Sequence, residues 1–144
     1  MMFVRPKLLA VIRGEIAEDL SVMAFSARTE SSSKTLGNAR LLGNSVTVEG
    51  PVAGALAVTG RDVILNSKIE GDVRILAQTL SFGPEAEIDG TLIYSTKDKI
   101  KVPTHVASED RVTFEKVSNG RVYEEWQRVG KDMATLPTIA SILI

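Results

Sequence analysis

Along the middle of the chain, apolar residues alternate with polar ones in short runs, and the runs return in phase. Val46 and Val48, then Val63 and Leu65, then Leu80 and Phe82 each follow the last pair by 17 positions. A second pattern rides with the first: apolar, any residue, Gly, any residue, apolar. It reads Val52-Ala53-Gly54-Ala55-Leu56, then Ile69-Glu70-Gly71-Asp72-Val73, then Ile88-Asp89-Gly90-Thr91-Leu92. Thr35-Leu36-Gly37-Asn38-Ala39 is a weaker copy, and Ile16-Ala17-Glu18-Asp19-Leu20 has Glu in the Gly place. The central glycines, at 37, 54, 71 and 90, are spaced 17, 17 and 19 residues apart. The two extra residues fall in Gly83-Pro84-Glu85-Ala86-Glu87, where Gly and Pro mark a turn. Carried back at the same step, the first pattern lands on Thr29 and Ser31.

Alternation with period two is the signature of a strand, and Val, Ile and Thr dominate these runs. Helices fit badly, because the apolar residues do not recur at three and four. Asn66-Ser67-Lys68 and Glu49-Gly50-Pro51 are turn formers between the runs. A unit of roughly 17 residues fits one turn of a coil with two or three short strands. The expected fold is therefore a parallel β-helix of about five to six such coils. Like residues then stack one coil above another, about 4.8 Å apart. Four interior columns follow: Val46, Val63 and Leu80; Val48, Leu65 and Phe82; Val52, Ile69 and Ile88; Leu56, Val73 and Leu92. The glycines suit corners where φ is positive or where no side chain fits. An antiparallel sandwich would also give frequent turns, but it would not require one phase to hold over three consecutive units.

The ends read differently. Residues 1–13 form a lead-in strand, residues 14–115 the coiled domain, and residues 116–144 a C-terminal tail. Arg5 and Lys7 precede the apolar run Leu8–Ile12, which is too short for a signal peptide and is ended by Arg13. Ile100, Val102, Val106, Val112 and Phe114 make one more degenerate coil, with Pro103 at its corner. Val122, Trp126, Val129 and Met133 are spaced as an apolar helical stripe. Thr138–Ile144 is almost wholly apolar. It is far short of the ~20 residues that span a bilayer. It reads either as a docked, capping strand or as the approach to a membrane segment.

Composition narrows the function classes. Seventeen basic against 18 acidic residues, a net charge of −1, give no footprint for nucleic acid. There are no cysteines, so disulfides and thiolate metal sites are excluded. The sequence shows no catalytic, cofactor-binding or metal-ligating constellation. The single histidine, His105, lies in a polar stretch without a second His or Cys for a metal. Glu18-Asp19, Glu70-Asp72 and Glu87-Asp89 read as solvated corner residues rather than a cation site. Ser31, Ser32 and Ser33 have no base partner in evidence. Gly37 to Gly43 lacks the Lys-Ser or Lys-Thr of a phosphate loop.

The strings Val46-Thr47-Val48-Glu49-Gly50-Pro51-Val52-Ala53-Gly54, Ile69-Glu70-Gly71-Asp72-Val73 and Phe82-Gly83-Pro84-Glu85-Ala86-Glu87-Ile88-Asp89-Gly90 resemble the bactofilins. These are polymer-forming bacterial cytoskeletal proteins. The resemblance covers roughly residues 14–115. It implies a right-handed β-helix that assembles with itself into filaments without nucleotide or other cofactor. It also implies a cytoplasmic location, at the inner membrane in many members. Leu136–Ile144 is similar to the approach to the transmembrane helix that some relatives carry. The polar early coil, Thr29–Thr35, and the long tail depart from the family pattern.

The expected function is thus a structural, self-assembling protein, not an enzyme. Two other readings stand beside it. A left-handed β-helix acyltransferase is built from hexads, but Val52 to Val58 is six residues while Val58 to Val63 is five. A solenoid binding module would need a flat outer face of like residues. Arg61, Asn66, Lys68 and Arg74 are too mixed to form one.

Overall fold

The computed structural model describes residues 2–116 and 140–143. The chain is a parallel β-solenoid of about six turns, about 17 residues apart. Its long strands are β1 (Met2–Arg13), β3 (Leu20–Thr29), β5 (Ala39–Val48), β6 (Leu56–Leu65) and β8 (Val73–Phe82). Between them lie two-residue strands β2 (Glu15–Ile16), β4 (Lys34–Thr35), β7 (Lys68–Ile69) and β9 (Glu87–Ile88). The last described elements are β10 (Leu92–Ser95), β11 (Val112–Phe114) and β12 (Ala140–Leu143). The main sheet runs β11-β10-β8-β6-β5-β3-β1-β12, and every pairing in it is parallel.

The four expected columns are present. Val46 pairs with Val63 and Val63 with Leu80; Val48 with Leu65 and Leu65 with Phe82. Val52 stands over Ile69 and Ile69 over Ile88. Leu56, Val73 and Leu92 make the fourth, which Val112 extends. A fifth column runs Val22, Leu41, Val58, Ile75, Tyr94 and Phe114. Each turn contributes one thin apolar layer, so the core is continuous only along the stack.

Two expectations are corrected here. The step from the second to the third turn is 19 residues, not 17: Ala27 lies under Val46 and Thr29 under Val48. Ser31 is therefore not a core position. The extra two residues sit in Glu30–Lys34, the same corner that holds the insertion at Gly83–Glu87. The corner absorbs them because the strands on either side keep their registers. The strand lengths also differ from expectation. In β6, two consecutive exposed residues, Arg61 and Asp62, interrupt an otherwise regular alternation. One ten-residue strand thus bends around the core where two separate strands were expected. Ala24, Gly43, Gly60 and Ala77 line the inside of this bend and are buried. A Cβ at Gly60 would lie 2.9 Å from the Gly43 carbonyl oxygen.

The repeated glycines are needed for space rather than for φ. Gly54 N–H donates to Gly37 O at 3.0 Å and Gly71 N–H to Gly54 O at 3.1 Å. Among the described residues, only Gly14 has a positive φ. Beside the glycines, Asn and Asp side chains stitch successive turns. Asp19 Oδ1 accepts from Asn38 N–H at 2.8 Å, and Asn38 Oδ1 accepts from Ala55 N–H at 2.8 Å. Asp72 Oδ1 accepts from Thr91 N–H at 2.9 Å. That bond, with a second from the Thr91 hydroxyl, holds the Asp72 carboxyl below the ordinary carboxylate range.

The solenoid begins earlier than residue 14. β1 pairs with β3 from Met2↔Leu20 to Ile12↔Thr29, so the lead-in is itself a strand of the first turn. Its register slips between Val4 and Lys7, around Arg5-Pro6, which hid the repeat. The helical stripe expected over residues 121–133 lies outside the described residues.

Candidate assembly interface

A β-solenoid has two ends, and each leaves a strand with one unpaired side. At the C-terminal end that strand is β11. Glu115 N–H donates back to Tyr94 O at 2.9 Å. Strand alternation then turns the N–H and C=O groups of Val112 and Phe114 outward, away from β10. Among the described residues no strand lies beyond them.

The rest of this end is only partly closed. Residues 96–111 fold across it in place of a regular turn. Ile88 N–H donates to Val106 O at 2.8 Å. The Arg111 guanidinium lies 2.7–2.8 Å from the carbonyl oxygens of Ile88, Asp89 and Gly90, supplying donors where a further turn would have supplied N–H groups. The buried Tyr94 hydroxyl donates to Ile100 O at 3.0 Å and accepts from Ile100 N–H at 3.3 Å. An open recess of about 760 Å³ remains, lined by Tyr94, Ile100, Val102, Ala107, Val112 and Phe114, with Lys99, Lys101 and Glu109 among its exposed members. The Tyr94 and Phe114 rings face it 5.2 Å apart. Ile100, Val102, Val112 and Phe114 are half-buried, packed against the core from one side.

The N-terminal end is different. Here β12 lies along the outer side of β1, in register from Ala10↔Ala140 to Arg13↔Leu143. Of the two readings of the apolar C-terminal run, the structure takes the docked strand for Ala140–Leu143. No helix among the described residues is long and apolar enough to cross a membrane.

The side chains singled out from sequence do other work. His105 is exposed, with Nε2 3.3 Å from the Gly83 carbonyl oxygen, tying the end loop to a corner. Ser33 is buried and its hydroxyl donates to Glu30 O at 2.7 Å, while Ser31 and Ser32 are exposed. Asp89 lies 3.8 Å from Lys68 Nζ. Asp19 and Asp72 are the corner stitches described above. Among the described residues, no three His, Cys, Asp or Glu side chains group as a metal site would require. A shallow groove of about 480 Å³ crosses several turns between this corner and the outward Arg40 and Arg74. The oxygens of Asp19, Asn38 and Asp72 that line it already accept backbone N–H groups, and Arg74 lies 3.5 Å from Glu115. The feature that sequence reasoning missed is Arg111, whose role depends on which carbonyls a missing turn leaves bare.

Compared with protein-family models, curated proteins and solved structures, the chain matches none of them.

Proposed function

We propose that this protein is a structural, self-assembling element of the bactofilin kind, associating end to end through its solenoid. The observation that carries this reading is the C-terminal end. There a strand edge that no other described strand pairs lies beside a half-buried apolar recess. Pairing that edge with another chain satisfies its backbone groups and buries Val112 and Phe114, without nucleotide or metal. The simplest contact is two-fold, with β11 of two copies antiparallel about Thr113. The groove along the first corner is a weaker basis for a binding module, since its carboxylate and amide oxygens are engaged within the fold.

Sedimentation of the full chain over a wide concentration range tests this. The expected result is a reversible, concentration-dependent shift from one chain to pairs. Val102→Glu places a charge in the recess and should leave a folded monomer. A strictly monomeric wild-type protein at every concentration overturns the proposal.

A further inference from the structure

We infer that β12 is a latch: it occupies the N-terminal edge of the solenoid and so keeps a second copy of this chain from adding there. The inference rests on the end-to-end reading above and asks which ends are available. β1, at 12 residues, is the longest strand among the described residues. Left bare, its outer side would be the longest open edge among them. Two features blunt it. From Met2 to Leu9 no strand covers it among the described residues, but the strand carries Arg5-Pro6-Lys7 and a register slip at that point. Pro, basic residues and irregular register are the usual means by which an edge discourages pairing. From Ala10 to Ile12 the strand is regular, Ala10 and Ile12 are fully buried, and neither proline, charge nor register slip guards it before Arg13. That is the stretch β12 covers.

Chain length permits the contact within one molecule. β11 and β12 flank opposite sides of an eight-stranded sheet. At about 4.8 Å per strand they stand roughly 34 Å apart. Twenty-five residues separate Phe114 from Ala140, enough to cover that distance at either helical or extended rise.

The latch has a consequence for the form of the assembly. A molecule with one usable end can only make closed two-fold pairs, whereas open-ended growth requires both ends. With β12 in place the protein stops at pairs; with β12 released, β1 accepts a second copy and pairs join into filaments. A pairing of only four residues is short enough to be displaced.

The test uses the full chain carrying Ser141→Pro and Ile142→Pro together, since one of two adjacent strand residues turns its N–H toward β1 and proline has none to donate. Ser141→Ala with Ile142→Ala keeps the backbone donors and is the control. Amide exchange at Ala10–Arg13 reports whether the edge is covered; sedimentation and electron microscopy report the size of the assemblies. The proline protein should exchange faster at these amides. It should form filaments at a concentration at least about tenfold below any at which wild type does. The alanine control should stay close to wild type. Unchanged exchange in the proline protein overturns the inference, as does faster exchange with assembly still halted at pairs. If wild type pairs and the proline protein does not grow, only the latch fails. If no form associates at all, the end-to-end reading fails and the latch with it.

Discussion

A Cβ at Gly71 would stand 2.6 Å from the Gly54 carbonyl oxygen and 2.8 Å from Ala55 N, both backbone atoms with no room to yield. Gly71→Ala should therefore cost about 2 kcal/mol, read by urea unfolding, although Ala is the better residue for most backbones. The reverse holds one corner earlier. Ser67 is buried and its hydroxyl has no partner among the described residues, while Ala86 takes the corresponding place in the next turn. Ser67→Ala should be neutral or stabilising by up to about 1 kcal/mol in the same assay. Asp72 and Asp110 contribute to the pH dependence of stability. Their carboxyls are held below the usual value of 3.8, by the Thr91 N–H and by the Ser108 hydroxyl respectively. Each therefore contributes stability that is present above the unfolded-state pKa and is lost as the pH falls through the folded-state value. Asp72→Asn keeps the acceptor, as Asn38 does in its own turn, and removes the titration. Its unfolding midpoint should fall less steeply than wild type's as the pH drops below about 4.

At the scale of the element, energy lies in the columns rather than in single strands. Ile69 is fully buried between Val52 and Ile88, so Ile69→Ala should cost about 2–5 kcal/mol. Ile64, one residue from the core position Val63 but 45% exposed, should change stability by no more than about 0.5 kcal/mol on substitution by Ala. Thermal or urea unfolding of the two variants checks the contrast, which requires the bent-strand alternation to be right. This alternation is why the fold was legible: Val46, Val63 and Leu80 mark the interior at a fixed step, and Gly54 and Gly71 mark the close approach. The register of Thr29 was not legible, because a polar residue in the core and a serine-rich corner give no apolar marker to count from. The bend at Arg61-Asp62 was hidden for a related reason. Two exposed residues in a row look like a break between strands unless the pairing on both sides is known.

For the whole molecule, the decisive property is that its two ends differ. The sequence supports open ends in general, because any short solenoid has them. It does not reveal which end is covered, since the pairing of Ala140–Leu143 with Ala10–Arg13 joins segments at opposite ends of the chain and has no local signal. Nor does it reveal that Arg111 closes one corner of the C-terminal end while β11 stays open. Together these leave the strand edge at Val112–Phe114 open among the described residues, and under the proposed end-to-end association it is where a second copy would first meet the protein. The native chain has no cysteine, so a single introduced thiol reports that meeting without background. Thr113 is exposed at the centre of β11, and two copies paired about it bring these positions within disulfide reach. The most direct measurement is the rate of disulfide-linked dimer formation under mild oxidation for Thr113→Cys, set against Ile64→Cys on the side of the stack. The account predicts rapid, concentration-dependent dimers for Thr113→Cys and a largely unlinked chain for Ile64→Cys. Equal rates at the two positions would contradict it.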